Sequence, residues 1–264
     1  MTDDSVLLQI DSRGVAQLSL NRPRIHNAFD DGLIARLSGL LTELEAHPGL
    51  RALVLTSEGK SFSAGADLNW MRRMAGYSES ENRADALKLA ELMSRLNRLP
   101  VPSIARIQGL AFGGGVGLIA CCDMAIAAKG AVFSLSEVRL GLIPAVISPY
   151  VIAAIGERAA RRYILTGERF DSAEALRIGL LHQVVEGDQL DATVEELLAE
   201  LLQCGPRAQA VAKQLIADVA GRPVDPVLIV DTAERITAVR ASPEGREGLG
   251  AFLEKRRPDW AGGD

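Results

Sequence analysis

The sequence predicts an α/β fold with a helical C-terminal region. Up to Ile107, short apolar runs with strand chemistry alternate with amphipathic stretches of helical spacing. From Pro144 onward the pattern is almost wholly helical. With 264 residues the chain can bury a sizeable core without disulfide or metal staples. The expected partition is a core over residues 1–200 and a helical region over 201–264, both within one continuous domain.

Each element has its own warrant. Val6 to Ile10 and Val15 to Leu20 are apolar runs separated by Asp11-Ser-Arg-Gly14, turn chemistry that predicts a β-hairpin. Asp30 and Asp31 are positioned to cap a helix whose apolar stripe is Leu33, Ile34, Leu37, Leu40, Leu41 and Leu44. Residues 51–56 (RALVLT) suit a buried strand. A small-residue stretch, Ser61 to Leu68, then leads into a helix. Ser78-Glu-Ser-Glu81 has capping-box spacing and opens another, which Pro100 and Pro102 end. Ser103 to Ile107 reads as strand. In the last third only the apolar run His182 to Val185 interrupts the helices. Pro206 starts a helix whose apolar face, Leu215, Ile216 and Val219, stops at Gly221.

Composition excludes several classes. Apolar residues make up 48% and charged residues 24%, which is a globular balance and not a disordered one. A net charge of −5 and a pI near 5.4 argue against a dedicated nucleic-acid binder, though local basic groups for a small anion remain open. Cys121, Cys122 and Cys204 fit neither a disulfide framework nor a zinc spacing, so buried reduced thiols are expected. Met1-Thr-Asp-Asp-Ser lacks the basic and apolar regions of a signal peptide. The longest apolar run, Gly109 to Cys122, is too short to span a bilayer. The expectation is a soluble cytoplasmic protein with no nucleic-acid or membrane partner.

The three histidines, His26, His47 and His182, lie in no zinc-ligand pattern, and no G-x-S-x-G elbow offers a serine partner. They read as loop or surface residues. Gly59-Lys60-Ser61 is not a P-loop, because Val54 stands where the first glycine is needed. Gly115-x-Gly117-x-x-Ala120, with Glu137 downstream, matches the relaxed dinucleotide fingerprint, so a Rossmann dehydrogenase stays open on spacing alone. The same glycines also let a backbone N–H approach a ligand closely at a helix N-terminus. Ser61 to Leu68 is a second small-residue turn between a strand and a helix. Two such turns, each giving one N–H to the same point, would make an oxyanion hole.

FSAGADL at 62–68, GLAFGGGVG at 109–117 and FSLSEVRLGLIP at 133–144 together resemble the crotonase superfamily of enoyl-CoA hydratases and isomerases. NRPRIHNAF at 21–29 and FLEKRRPDW at 252–260 match the family's ends, so the resemblance covers nearly the whole chain. It implies a crotonase-like core of repeated ββα units and a C-terminal helical region that builds a trimer, often paired into a hexamer. It implies an acyl-coenzyme A thioester as substrate and no further cofactor or metal.

The resemblance also assigns residues. The oxyanion donors would be the backbone N–H groups of Ala66 and Gly114, and Glu137 would move the proton. Family members with two glutamates carry the other at position 117, which is Gly117 here. Glu137 lies between Phe133, Leu135 and Val138, so burial is expected to raise its pKa. Arg24 and Lys255 would bind the CoA phosphates. Asp67, Leu68 and Asn69 would hold the adenine or pantetheine through their backbones, with Gly113 beside them. Ile236 replaces an aromatic residue often found nineteen positions before the lysine. NWMRRMA at 69–75, PAVISPYV at 144–151 and IGERAARRYILTGERF at 155–170 look like hydratases of branched glutaconyl-CoA thioesters, which act in leucine and acyclic-terpene breakdown. The extra carboxylate of such a substrate needs a charged partner, for which Arg72, Arg73 and Arg158 are candidates. Ser148 is a candidate to hold a water. One carboxylate also suffices for Δ3,Δ2-isomerisation, and the loss at Gly117 leaves a non-catalytic acyl-CoA binder open.

Overall fold

The computed structural model describes residues 4–261, and these divide into two compact units. The first runs to Leu99 and resumes over Ser103–Glu195. The second comprises Pro100–Pro102 and the chain from Glu196 onward. The division falls at Glu195/Glu196, a few residues before the expected boundary at 200, inside a helix.

The first unit opens with the hairpin read from the sequence. β1 (Val6–Ile10) pairs antiparallel with β2 (Val15–Leu20), and Asp11 closes the turn by accepting from the N–H groups of Arg13 and Val15. α1 (Asp31–Glu45) is capped by Asp30, whose side chain accepts from Leu33 N at 2.8 Å, and it buries the six residues of the expected stripe. β3 (Ala52–Ser57) is buried along its whole length. After it come α2 (Leu68–Met74) and α3 (Glu79–Arg98), the latter opened by the capping box of Ser78 and Glu81.

The next stretch repeats one motif. β4 (Ser103–Ile107) and β5 (Leu110–Phe112) lead into α4 (Gly114–Cys121). β6 (Met124–Ala128) and β7 (Val132–Ser134) lead through a 3-10 turn at Glu137–Leu140 into α5 (Ser148–Thr166). In each repeat the first strand joins one sheet and the second joins another. The larger sheet has the order β1-β2-β3-β4-β6-β9, with β9 at Gln183–Val185, and is parallel apart from the hairpin. The smaller has the order β5-β7-β8, with β8 at Arg169–Asp171. β5 and β7 are parallel neighbours, Phe112 opposite Ser134. These are the ββα units that the resemblance implies. α6 (Ser172–Arg177) lies between β8 and β9. α5 is broken at Gly156, whose φ of 73° and ψ of 158° depart from the helix.

α7 (Leu190–Leu202) crosses the unit boundary. The second unit is helical, with α8 (Pro206–Val219), α9 (Pro226–Ala241) and α10 (Pro243–Glu254). Gly205 precedes α8 without a capping side chain. Glu244 of α10 supplies the missing acceptors, taking N–H from Arg207 at 3.0 Å and Ala208 at 2.7 Å.

Two expectations need correction. Cys121 and Cys122 are buried, but Cys204 is exposed, because it follows α7 in a surface turn. The region after Pro144 holds β8 besides β9. Three residues are too few to show an alternating period, so β8, like β5 and β7, left no pattern to read. Among the described residues, no helix is long and apolar enough to cross a membrane.

Candidate active site

Strand geometry assembles the site. β5 and β7 run side by side in the same direction, so their carboxyl ends deliver their next residues to one edge. β5 delivers Gly113 and Gly114, and β7 delivers Glu137. Gly113 N–H donates to Ser134 O at 3.0 Å, which ties the glycine turn to the end of β7. A third segment joins them after β3. Ser63 bridges Ala111, with Ser63 N–H to Leu110 O at 3.0 Å and Phe112 N–H to Ser63 O at 2.9 Å.

The fourth segment is Asn27 to Phe29. Phe29 pairs with Ala66 as a single parallel bridge, its N–H donating to Gly65 O and its carbonyl accepting from Asp67 N, both at 2.7 Å. In this pattern the flanking residues are spent and the central one faces the other way. The N–H of Ala66 is therefore turned away from Phe29 and makes no hydrogen bond among the described residues. The N–H of Gly114 is equally unspent, since it is the first of α4 and the chain before it supplies no acceptor.

Close packing brings these turns against Glu137. A Cβ on Gly113 would lie 2.9 Å from Glu137 Oε1 and 4.0 Å from Gly65 Cα. A Cβ on Gly65 would lie 3.2 Å from Phe112 O. Gly65 and Gly113 have φ of 86° and 50°, so both need glycine for conformation as well as for space. Glu137 is half-buried, and its Oε2 is buried without a hydrogen-bond partner among the described residues. Burial pushes its pKa above the ordinary carboxylate range, as expected; a bond to its own backbone opposes this.

Position 117 shows why a second acid is absent. A Cβ on Gly117 would lie 2.2 Å from Ile147 Cγ2 and 2.9 Å from Ile147 Cβ. Ile147 therefore fills the space that a side chain at 117 would use. Ser148, its neighbour, donates its hydroxyl to Ala145 O at 2.8 Å.

The other expected contacts fall as follows. Arg24 is exposed on the 3-10 turn Pro23–Ile25, and its guanidinium makes no hydrogen bond or ion pair among the described residues. Asp67 gives its N–H to Phe29 and caps α2 through its side chain, accepting from Asn69 N at 2.8 Å and Trp70 N at 3.1 Å. That commits the N–H groups of Asp67 and Asn69 and leaves that of Leu68 unspent. Leu68 itself is 69% exposed. Lys255 lies in the second unit, where it closes α10 with a φ of 56°, and Ile236 is exposed on α9. Arg73 pairs with Asp31, and Arg72 donates to Asn69 Oδ1 at 2.8 Å. Arg158 lines a cavity of about 620 Å³ with Tyr163 and Glu174, and that cavity contains no residue of the two turns or of Glu137.

Sequence reading assigned no role to Asn27 and Phe29. Asn27 is fully buried in a left-handed conformation, φ 54°. Its amide donates to Glu58 O and Ser61 O, both at 2.9 Å, and accepts from Arg22 N at 2.7 Å. Asparagine is among the few residues that tolerate this conformation, which was the available signal.

Unspent main-chain donors beside a lone desolvated carboxyl, at the carboxyl ends of parallel strands, define an enzyme that meets negative charge developing on an oxygen. The chain belongs to the enoyl-CoA hydratase/isomerase family, whose model matches residues 11–263. It is 35% identical to the mitochondrial methylglutaconyl-CoA hydratase of Mus musculus, over 97% of this chain and 82% of that protein. It is 30% identical to the short-chain-enoyl-CoA hydratase of Clostridium acetobutylicum, over 96% of each. The crystal structure of an enoyl-CoA hydratase from Shewanella pealeana superposes with a TM-score of 0.94 at 47% identity, covering 97% of this chain and 96% of that one. The protein is thus a crotonase-fold hydro-lyase of the enoyl-CoA hydratase type.

Proposed function

We propose that this enzyme adds water to the α,β double bond of a branched enoyl-CoA, with Glu137 as its only proton-handling side chain. The substrate is 3-methylglutaconyl-CoA or the related isohexenylglutaconyl-CoA, in leucine or acyclic-terpene breakdown. The observation that carries this reading is the packing of Glu137 against the glycine turn whose amide is unspent. The 35% identity to a methylglutaconyl-CoA hydratase supports the choice of acyl group.

In this mechanism the thioester oxygen sits on the N–H groups of Ala66 and Gly114. The Glu137 carboxylate takes a proton from water as the oxygen bonds to Cβ. The double-bond electrons move onto the thioester oxygen as an enolate. Glu137, now protonated, returns its proton to Cα and is ready again. No other co-reactant is needed. A raised pKa suits a group that must act as base and then as acid. Loss of one oxyanion donor typically costs about 2.7–4 kcal/mol of transition-state stabilisation. Arg24 on the first unit and Lys255 on the second are each a candidate cation for the CoA phosphates, and Leu68 N–H is available to the pantetheine or adenine.

A second reading has its own support. With no acid at position 117, a single carboxylate also suffices to carry a proton between Cα and Cγ, which makes a Δ3,Δ2-enoyl-CoA isomerase. The protein works in the cytoplasm as a homotrimer or a hexamer of two trimers. Exposed apolar side chains on the helical unit, among them Val227, Val230, Phe252 and Leu253, support assembly.

The test follows loss of the conjugated enoyl-thioester absorbance with 3-methylglutaconyl-CoA, for the parent enzyme and Glu137→Gln. The expected result is loss of absorbance, a product heavier by one water, and no turnover by the variant. Conversion of a 3-enoyl-CoA to its conjugated isomer, with no mass change and no hydration, would move the assignment to the isomerase.

A further inference from the structure

The first turn of α4 presents several glycines, and the direction of each is defined. A Cβ on Gly113 would meet Glu137, one on Gly114 would meet the Phe29 ring at 3.6 Å, and one on Gly115 would meet Ser63 at 2.9 Å. Gly117 is one helical turn beyond Gly113 and donates to its carbonyl at 3.1 Å. Residues four apart share a helix face. Position 117 is the next glycine on α4, and a Cβ there would meet Ile147, at the far end of the loop that begins at Glu137.

That place is taken. Ile147 is 3% exposed and stands over Gly117, with Met93 Cε 3.3 Å from the same Cβ point. Ile147 is held from two sides. It begins α5, its carbonyl accepting from Val151 N at 3.1 Å, and α5 packs on α4. Its β-branch restricts rotation about χ1, so it cannot simply swing aside. Glu137 and Ile147 also bound one loop. The Glu137 end is tied by Leu142 N–H to Glu137 O at 3.0 Å, and the Ile147 end packs over Gly117.

We propose that Ile147 is the positioning residue that makes Glu137 act alone: seated on Gly117, it bars a second acid from α4 and anchors the loop that carries Glu137. The inference rests on the reading of Glu137 as the proton-handling group and goes beyond it, since it names the residue that sets the number of acids. It requires positions 117 and 147 to be coupled. An acid at 117 is accommodated only when residue 147 has no Cβ, because Ile147 Cβ alone is 2.9 Å from the point where the new Cβ would lie. Trimming the branch without removing Cβ does not make room.

The test is a double-mutant cycle on the full-length enzyme with Gly117→Glu, Ile147→Gly and both together, and with Ile147→Val as the conservative control. Thermal unfolding and crotonyl-CoA hydration are followed, with rates referred to folded protein. Gly117→Glu alone is expected to lower the melting midpoint by about 5 °C, the size of an overpacking strain in a chain this long. It should lower kcat about a hundredfold, as for a misplaced catalytic group. In the Ile147→Gly background the same substitution should cost less than half of that midpoint loss. The pH profile of the double variant should show a second carboxyl ionisation that Gly117→Glu with Ile147 in place does not show, a difference that a merely structural role for Ile147 would not produce. Ile147→Val should keep the parent profile and stay within about threefold of the parent rate. Equal melting losses in both backgrounds would overturn the inference, as would a double variant with a single carboxyl ionisation. An inactive parent enzyme, or an active Glu137→Gln, would instead strike at the role of Glu137 and leave the melting cycle to judge Ile147.

Discussion

Glu137 carries a cost that its neighbours do not offset. Among the described residues its buried Oε2 has no partner, and burial, not a charged neighbour, raises its pKa. The linkage has a definite sign. The folded state binds this proton more tightly than the unfolded chain does, so the carboxylate destabilises the fold as pH rises from the unfolded pKa through the folded one. Below both values the penalty is absent. Glu137→Gln should therefore raise the melting midpoint at about pH 8 and leave it unchanged at about pH 4, near the unfolded pKa of a glutamate. Differential scanning calorimetry across that range checks this. A variant less stable at the upper pH would mean that the carboxylate has a partner there. The acid limb of kcat/KM should likewise lie above the ordinary carboxylate range, since the base form is lost as pH falls through the raised pKa.

Among elements, the link between residues 26–29 and 61–67 decides where the Ala66 amide points. Asn27 is its fastener, with three side-chain hydrogen bonds in a fully buried place and a further bond from Ser63 Oγ to its carbonyl at 2.8 Å. Asn27→Ala strands the Glu58 carbonyl and the Arg22 N–H, leaves Ser61 O with the Ser57 hydroxyl alone, and puts alanine at positive φ. It should cost about 3 kcal/mol of stability, toward the upper end for a single change. Because Phe29 holds Gly65 and Asp67 on either side of Ala66, kcat should fall in the folded fraction as well. Urea titration and crotonyl-CoA kinetics on the same sample separate the two effects. Little of this link was visible in the sequence. The hairpin, the Asp30 cap, the stripe of α1 and the Ser78 capping box were legible because each is written within one or two helical turns or a single strand. The glycine turns and Glu137 were legible as motifs. The seating of Ile147 on Gly117 joins residues thirty positions apart with no periodic signal, and β5, β7 and β8 are three residues each, too short to alternate.

At the scale of the whole molecule, the helical unit exposes a series of large apolar side chains. Val224, Val227, Phe252 and Leu253 are 68–82% exposed, and Ile229, Val230 and Leu249 are more than half exposed. Single exposed apolar residues need no explanation, but a series along α9 and α10 is the mark of a surface that another chain covers. The first unit buries a core between its sheet and the helices α1, α3 and α4, and it too exposes Leu68, Ile143 and Leu165 at 69–72%. Assembly should thus depend on the second unit while the fold of the first does not. In sedimentation, the parent should run as a particle of three times 28.2 kDa or a multiple of that. Replacing Phe252 and Leu253 together by glutamate should shift the mass toward the monomer, because charge at the centre of an apolar contact is left without a partner on the neighbour. Circular dichroism should keep its helical signal, since both side chains are already in water in the single chain. Lys255, two residues beyond Leu253, is the proposed CoA cation on the same segment. Loss of assembly should then raise KM for CoA thioesters if the trimer is what presents this lysine, and leave KM unchanged if the lysine serves its own chain.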